Sequence, residues 1–596
     1  PPRLTISEWA DQNRKLSPEA SAESGQWHTA RAEYQRAIMD EITNPATEQI
    51  VVMSSAQVGK TEILLNAIAY HMAVDKAPML CLQPTLEMAQ TFSKDRIAPM
   101  LRDTPALHGI VAPARARDSG NTTRQKSFAG GSLNIAGSNS PSSLASRSVR
   151  LVFADEVDRY PPSAGTEGDS ISLAAKRMAT FSNSKLILTS TPTVEGASRI
   201  ETAYKASDQR KYFVECHDCG TWQTLEWQNV SWPDGKPDEA VYVCQECGSA
   251  WADADRLRAI RGGEWRAATP FDGIAGFYLN GLYSPWTPLA SAAREFVEAK
   301  KLPETLRVFI NTYLGETWSL DGGTQVDDLG LFDRREPYET PVPEGVVVVV
   351  AGVDVQDDRI EVEVVGIGRD EENWSLSFNV LWGDPTGLKI WNDLDDLLTQ
   401  KLLHPNGVEL PIRMTAIDTG HHTQQVYKYV KPREGRGVMA IKGVGGEGKP
   451  LLGRPSKNNI AKVRLWPVGS NTVKELLMAR LRITEKGPGY CHFPDHYEQE
   501  YFKQLTAEKM VTRYHKGFPR REFVKTRTRN EALDCRCYAM AAFAALNANI
   551  NRVADRFDLR ATALASEKVE EKTQPSRQLR RPAKRQANNF ATSWKN

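Results

Sequence analysis

The stretch Gln49-Ile-Val-Val-Met-Ser54-Ser-Ala-Gln57-Val-Gly59-Lys60-Thr61 decides how the first half of this chain is read. A short apolar run of strand length ends in a loop of small residues, and from Thr61 to Val74 the apolar positions recur at helical spacing. The loop matches the P-loop pattern G-x-x-x-x-G-K-[ST] at Gly59, Lys60 and Thr61, with Ser54 standing where the first glycine would be. A strand–loop–helix of this kind aims backbone N–H groups and a helix N-terminus at phosphate oxygens. Ser54, Gln57 and Gly59 are then the cradle, Lys60 neutralises the β- and γ-phosphates, and Thr61 holds the Mg²⁺ of ATP.

Outward from this loop, Met79-Leu-Cys-Leu, Leu151-Val-Phe-Ala and Lys185-Leu-Ile-Leu-Thr are further short apolar strands, each with helix-forming sequence nearby. That alternation predicts a parallel sheet covered on both faces. The strand at Leu151 runs into Asp155-Glu156, and the strand at Lys185 runs into Ser190-Thr191-Pro192. At the carboxyl end of a parallel strand both motifs would face the ligand crevice. Asp155 is expected to bind the nucleotide Mg²⁺ through water, Glu156 to polarise the attacking water, and Ser190 and Thr191 to sense the γ-phosphate. Tyr34 and Gln35, upstream of the first strand, stand where such motors read adenine. Arg147 is the candidate arginine finger, with Arg150 and Arg96 as rivals. The order GKT, DE, STP is that of helicase and translocase ATPases of the RecA/ASCE-like P-loop class.

Eight cysteines include Cys216-x₂-Cys219 and Cys244-x₂-Cys247, separated by 24 residues and each followed by a glycine. Four thiolates at this spacing suit a structural Zn²⁺, although the spacer slightly exceeds the usual range; two redox pairs are the alternative. The segment 211–263, with its tryptophans and turn residues, reads as a zinc-ribbon insertion rather than another βα unit.

A second α/β region opens at Val346-Val-Val-Val-Val-Ala-Gly-Val-Asp354 and continues as a strand meander, a helix from Trp391, and the strand Met414-Thr-Ala-Ile-Asp418. An alanine-rich helix from Asn530 to Leu546 carries Asp534. An Asp on the first strand, one on the fourth and one on a late helix is the ribonuclease-H-like layout. Three such carboxylates repel one another and call for Mg²⁺ or Mn²⁺ between them. His421, His422, Lys442 and Lys474 are secondary candidates around this cluster.

The 596 residues hold 75 Lys+Arg against 74 Asp+Glu, so any basic surface is local and balanced elsewhere. A hydrophobic share of 40% and a charged share of 25% suit a globular chain, and no apolar run is long enough for a bilayer. The divisions expected are a helical segment over 1–45, an ATPase domain over 46–325 with the zinc ribbon at 211–263, a linker at 326–345, a nuclease domain at 346–548, and a flexible basic tail from 549 to 596.

Taken together, Ser55-Ala-Gln-Val-Gly-Lys-Thr, Phe153-Ala-Asp-Glu-Val-Asp-Arg-Tyr, Ser190-Thr-Pro-Thr, the two cysteine knuckles, Gly352-Val-Asp-Val-Gln and Ile417-Asp-Thr-Gly make the chain resemble the large terminase subunit of tailed bacteriophages, in its lambda-type branch. The resemblance runs from about Trp27 to Leu546. It implies an N-terminal ATPase that drives double-stranded DNA through the portal of a procapsid, and a C-terminal nuclease that cuts concatemeric DNA. It also implies Lys60, Thr61 and Glu156 at the ATP site, Ser190 and Thr191 in coupling, and Asp354, Asp418 and Asp534 on the nuclease metals. The implied partners are DNA, a small terminase subunit met by residues before about 25, and the portal met by the tail. A homo-oligomeric ring in the cytoplasm of the infected host, with no membrane, completes the picture. The rival is a helicase-like translocase of repair or restriction, which would carry a second RecA-like domain; a zinc-ribbon adaptor with a decayed P-loop is disfavoured by the intact Lys60, Thr61, Asp155 and Glu156.

Overall fold

The computed structural model describes residues 4–19, 21, 23–111, 121–140, 148–165, 167–319, 326–446, 448–457, 462–515 and 518–573. The chain forms two compact units. The first is Pro1–Asp327 with Glu475–Arg482 and Glu508–Thr526; the second is Asp328–Lys474 with Ile483–Ala507 and Arg527–Asn596. No helix among the described residues is long and apolar enough to cross a membrane.

The first unit is built on a ten-stranded sheet. Its strands β1 (Gln49–Ser54), β2 (Pro78–Gln83), β3 (Gln125–Phe128), β4 (Gly131–Gly137), β5 (Leu151–Asp155), β6 (Lys185–Ser190), β7 (Arg210–Glu215), β8 (Trp222–Thr224) and β9 (Ile274–Leu279) lie in the order β8-β7-β9-β1-β6-β5-β2-β4-β3. Glu264–Arg266 pairs with β7 as the tenth. From β9 to β4 all neighbours are parallel. Alternate residues of the central strands feed two separate cores. Ile50, Val52, Met79, Cys81, Phe153 and Ile187 join one; Val51, Met53, Leu80, Leu82, Val152 and Leu188 join the other. This is why the strands read as continuous apolar runs: both faces are covered. Helix α1 (Lys60–Ala73) follows β1 and is buried nearly all round.

The first core also takes in Ile6, Trp9, Ala10, Trp27, Tyr34 and Ile38, so the start of the chain, which the sequence suggested as a separate helical segment, is built into this unit. The cysteine insertion is likewise grafted into the main sheet. Its first two strands are β7 and β8, and only Val230–Ser231, Val241–Val243 and Ala250–Trp251 form a small sheet of their own. The antiparallel hairpin Glu508–His515 and Phe518–Lys525, far along the chain, belongs to this first unit.

The second unit carries β10 (Val348–Val355), β11 (Arg359–Ile367), β12 (Asn373–Trp382), β13 (Glu409–Asp418), β14 (Val438–Val444) and β15 (Arg464–Gly469) in the order β12-β11-β10-β13-β14-β15, with two short edge strands. The first three form an antiparallel meander and the rest add in parallel to β10. Helix α2 (Lys389–Thr399) joins β12 to β13. Helix α3 (Glu531–Leu546) lies across the sheet and touches it backbone to backbone at Gly352. A Cβ on Gly352 would stand 1.9 Å from the Cys535 carbonyl oxygen and 2.5 Å from the Ala539 nitrogen. A fully buried polar set also ties α3 to the sheet: Arg536 donates to Glu363, to Ser375 Oγ at 2.9 Å and to Asn373.

The sequence after residue 548 departs from the expected flexible tail. Helix α4 (Ile550–Thr573) buries Ile550, Ala554 and Phe557 at helical spacing, and Arg369 pairs with its Asp555 and Asp558 at 2.8 and 2.7 Å. Sparse apolar residues sufficed because they fall on one face. The basic residues from Arg577 onward lie outside the described residues.

Gly352→Ala is expected to force α3 off the sheet and to destabilise the second unit by about 1–3 kcal/mol, at the upper end because the clash is with backbone. Thermal denaturation shows this as a fall of several degrees; an unchanged midpoint would mean that the helix does not rest on Gly352.

Candidate nucleotide, cysteine and carboxylate sites

The P-loop, the DE pair and the STP turn leave three neighbouring parallel strands, β1, β5 and β6, at the same edge. Gly59 opens α1 at φ 86°, and a Cβ there would lie 2.2 Å from the Gln35 amide nitrogen, so both conformation and space require glycine. Ser54, by contrast, is absent from the positive-φ residues, which explains why a non-glycine residue fits there. The loop is braced from several sides. Ser55 N–H donates to Leu279 O at 2.8 Å, Ala56 N–H to Thr312 O at 2.7 Å, and Ser284 Oγ to Gln57 O at 3.2 Å. Tyr34 Oη and Gln35 Nε2 both donate to Val58 O, at 3.1 and 2.9 Å. Tyr34 and Gln35 are thus fully buried beneath the loop, with the Tyr34 ring packed edge-on against Tyr212.

Lys60 is buried and its ammonium rests on the Ser54 and Ser55 carbonyls, 3.5 Å from Glu156 Oε1. Burial lowers its pKa while Glu156 and Asp155 draw it back up. Glu156 sits in the left-handed region at φ 52°, a strained conformation of the kind concentrated at functional sites. Its other oxygen accepts from Thr191 Oγ1 at 3.3 Å and faces Arg159 Nε at 3.5 Å. Asp155, whose carboxyl is raised by burial, accepts from Thr189 Oγ1 at 2.7 Å and from Gln83 Nε2 at 3.4 Å. Ser190 Oγ accepts the Asp158 N–H at 3.2 Å, and Asp158 in turn holds Ile200 N–H and Thr193 Oγ1. The structure therefore brings Lys60, Asp155, Glu156, Ser190 and Thr191 together. Thr61 follows Lys60 in the first turn of α1, and Gln57 is exposed at the loop tip at φ 60°. Arg147 lies outside the described residues. Arg150 is committed elsewhere: it pairs with Asp75 at 2.6 Å and contacts His71.

Residues that the sequence reading passed over complete this site. Thr189 and Gln83 position Asp155, Asp158 locks the turn after Glu156, and Arg159 is the exposed arginine beside Glu156. The first two carried no signal of their own: each is a polar residue near the end of a strand, and strand pairing sets it against Asp155.

The four knuckle cysteines close on one another. Cys216 Sγ stands 3.8 Å from Cys247 Sγ, and Cys219 Sγ stands 3.9 Å from Cys244 Sγ. Zn–S bonds of about 2.3 Å in a tetrahedron place sulfurs about 3.8 Å apart, so the thiols fit a zinc ion. Gly220 and Gly248 turn each knuckle at positive φ. Burial would raise the Cys244 thiol, but amide groups of Cys247 and Glu246 and the Gln223 side chain bring it down to about 6. Among the described residues, this is the one set of three or more His, Cys, Asp or Glu whose donor atoms all lie within 4.8 Å.

The carboxylates of the second unit stand wider. Val353 pairs with Ile417, so Asp354 and Asp418 leave adjacent parallel strands at one level, and the contact of α3 at Gly352 carries Asp534 to the same end. Burial, followed by repulsion from Asp534 and Asp418, pushes the Asp354 carboxyl up to about 8, against the pull of Gln356 Nε2 at 2.5 Å. Asp418 is raised by burial and restrained by the Gly420 N–H at 2.7 Å. Tyr538, one turn beyond Asp534, feels all three charges. Buried oxygen donors that resist ionising together fit hard divalent cations. Glu361 lies directly opposite Asp354 in the ladder and is held by Arg359 and Arg529 at 2.6 and 2.8 Å. His421 and His422 face Asp357 at 3.7 and 3.4 Å. Lys442 draws the Asp418 carboxyl down, and Lys474 pairs with Asp534 at 3.3 Å.

Comparison with known proteins gives both halves a family. A model of the ATPase domain of the phage terminase large subunit gpA matches residues 21–265, and one of the endonuclease domain of the terminase large subunit gpA matches residues 274–555. The large terminase subunit of Enterobacteria phage P21 is 30% identical over 610 residues, covering 97% of this chain and 94% of the relative. That of Escherichia phage lambda is 30% identical over 579 residues, covering 91% and 89%. A solved large terminase from a thermophilic bacteriophage aligns over 87% of this chain and 97% of that one, at 12% identity and a TM-score of 0.41. The second family model begins at β9, yet β9 lies between β7 and β1 inside the first unit's sheet. The chain belongs to the phage terminase large subunits, with the ATPase domain of that family followed by its endonuclease domain.

Proposed function

We propose that this large subunit uses ATP hydrolysis to drive double-stranded viral DNA through a portal into a procapsid, and cuts concatemeric DNA at Asp354, Asp418 and Asp534. The observation that carries the ATPase half is Glu156, held between Lys60 and Thr191 at the convergent ends of parallel strands. Lys60, Thr61 and the loop Ser54–Gly59 take the phosphates, Asp155 and Thr61 serve the Mg²⁺ of ATP, and Glu156 orients the attacking water. When phosphate draws Lys60 away, Glu156 loses a partner and Thr191 registers the change, linking the site through Ser190 and Asp158 to Ile200. Tyr34 and Gln35 act on the nucleotide through the loop that they support. The trans-acting arginine is Arg147, with Arg159 the described alternative.

In the second unit Asp354, Asp418 and Asp534 would hold Mg²⁺ or Mn²⁺, which supplies activation of water and stabilisation of the leaving oxygen when bound. Cys216, Cys219, Cys244 and Cys247 hold a structural Zn²⁺. DNA contacts run mainly to phosphates, giving salt-sensitive binding of low sequence preference. A small terminase subunit, the portal and other copies of this chain in a ring are the protein partners, met in the cytoplasm of the infected host. The rival helicase-like translocase would need a second RecA-like sheet; the second unit instead has the meander-plus-parallel order of the ribonuclease-H-like layout.

Two substitutions separate the activities. Lys60→Ala is expected to lower ATP turnover at least a hundredfold while leaving Mn²⁺-dependent plasmid cutting intact. Asp354→Asn is expected to abolish cutting and leave ATP turnover within about twofold. Turnover that survives in Lys60→Ala would falsify the nucleotide assignment, and equal cutting by wild type and Asp354→Asn would remove the carboxylate centre. Metal analysis of the purified chain is expected to return one zinc per chain, lost on Cys244→Ser with Cys247→Ser; a zinc content unchanged by that double substitution would sink the ribbon site.

A further inference from the structure

Lys474 occupies a position that the reaction scheme leaves unexplained. It lies in the helix Ser470–Leu481 with only 15% of its side chain exposed, and its ammonium is 3.3 Å from Asp534 Oδ1. The other Asp534 oxygen accepts from Asn530 Nδ2 at 2.8 Å. Asp354 and Asp418 are served differently. Asp354 takes one neutral amide from Gln356, and Asp418 takes the Gly420 backbone N–H. Among the described residues, Asp534 is the one member of the three that carries an ion pair. A lysine ammonium is a compact point charge able to stand where a small cation would.

We infer that Lys474 is the resident cation of the nuclease centre, holding the Asp534 oxygen that one of two divalent cations would take. This rests on the reading of Asp354, Asp418 and Asp534 as the metal carboxylates. Two consequences distinguish it from a plain surface pair. First, divalent cations would bind the centre unequally, because one that engaged Asp534 Oδ1 would have to displace an ammonium and one held by the other carboxylates would not. Second, the metal-free cluster depends on Lys474 for part of its charge balance, since three carboxylates brought to one strand end repel one another. The lysine thus sets how many cations the centre holds at a given concentration, and so when cutting is enabled. It is a positioning residue that acts through Asp534.

The test is Mn²⁺ binding to the full chain without nucleotide, read by the electron paramagnetic signal of free Mn²⁺, for wild type, Lys474→Met, Lys474→Arg and Asp354→Asn. Methionine keeps the length and apolar stem of lysine without its charge. The expected result is one tight and one weaker Mn²⁺ in wild type and Lys474→Arg, with the weaker one tightened at least tenfold in Lys474→Met. Thermal denaturation of Lys474→Met in chelator should show a midpoint several degrees lower, and Mn²⁺ should raise it by more than it raises wild type. A Lys474→Met isotherm equal to or weaker than that of wild type, with Asp354→Asn binding reduced, would overturn the role of Lys474 alone. Unchanged binding in Asp354→Asn would instead overturn the underlying carboxylate reading. A Lys474→Met chain that is stable only with Mn²⁺ present would support the inference through the denaturation readout.

Discussion

Asp155 pairs with Thr189 across two parallel strands of the first unit, and Val353 pairs with Ile417 across two parallel strands of the second. Both candidate sites depend on these registers. Parallel neighbours end at the same level, so the loops that follow them converge on one crevice. A slip of one residue in either pair would turn Asp155 or Asp354 to the opposite face of its sheet. The apolar side chains before each acid oppose this: Leu151 to Ala154 alternate between two packed cores, and Val348, Val349, Val350, Ala351 and Val353 are all buried.

The two sites treat buried charge in opposite ways. In the first, Asp155 is satisfied by Thr189 and Gln83, and Glu156 is set between Lys60 and Thr191, so the charges are largely balanced by the chain itself. In the second, Asp354 is left against two further carboxylates with one amide for company, and its carboxyl rises to about 8. Burying an ionised group without a partner is costly, and this imbalance is what fits the three carboxylates to the divalent cations proposed for them. Lys474 offsets that imbalance at Asp534 and nowhere else among the three.

Close backbone approach does the remaining placement. Gly315, at φ 65°, brings the segment after Leu314 against the P-loop, where a Cβ would stand 2.7 Å from Ser55 N. The neighbouring Leu279 and Thr312 carbonyls then take the first two loop amides. Gly352 does the same for α3 and so decides where Asp534 lands. Gly315 lies outside every motif, and Gly352, although it opens Gly352-Val-Asp-Val-Gln, matters here for what packs against it.

By itself the sequence determined the local chemistry: the P-loop, the acid pair after an apolar strand, the serine-threonine turn, the two cysteine knuckles and the three separated aspartates. These are legible because each depends on a few neighbouring residues and on the two-residue or 3.6-residue period of their element. Only the tertiary structure decided what lies between them. Thr189 and Gln83 are ordinary strand residues until pairing sets them against Asp155. Tyr34 and Gln35 read as base contacts until packing places them under the loop. The chain after residue 548 reads as a tail until Ile550, Ala554 and Phe557 find a surface to bury against. β9 and the hairpin 508–525 join the first unit although one opens the second family match and the other lies deep within it. The physical reason is the same throughout: hydrogen-bond partners and burial are long-range properties, set by strand order and helix contact, and no local period in the chain records them.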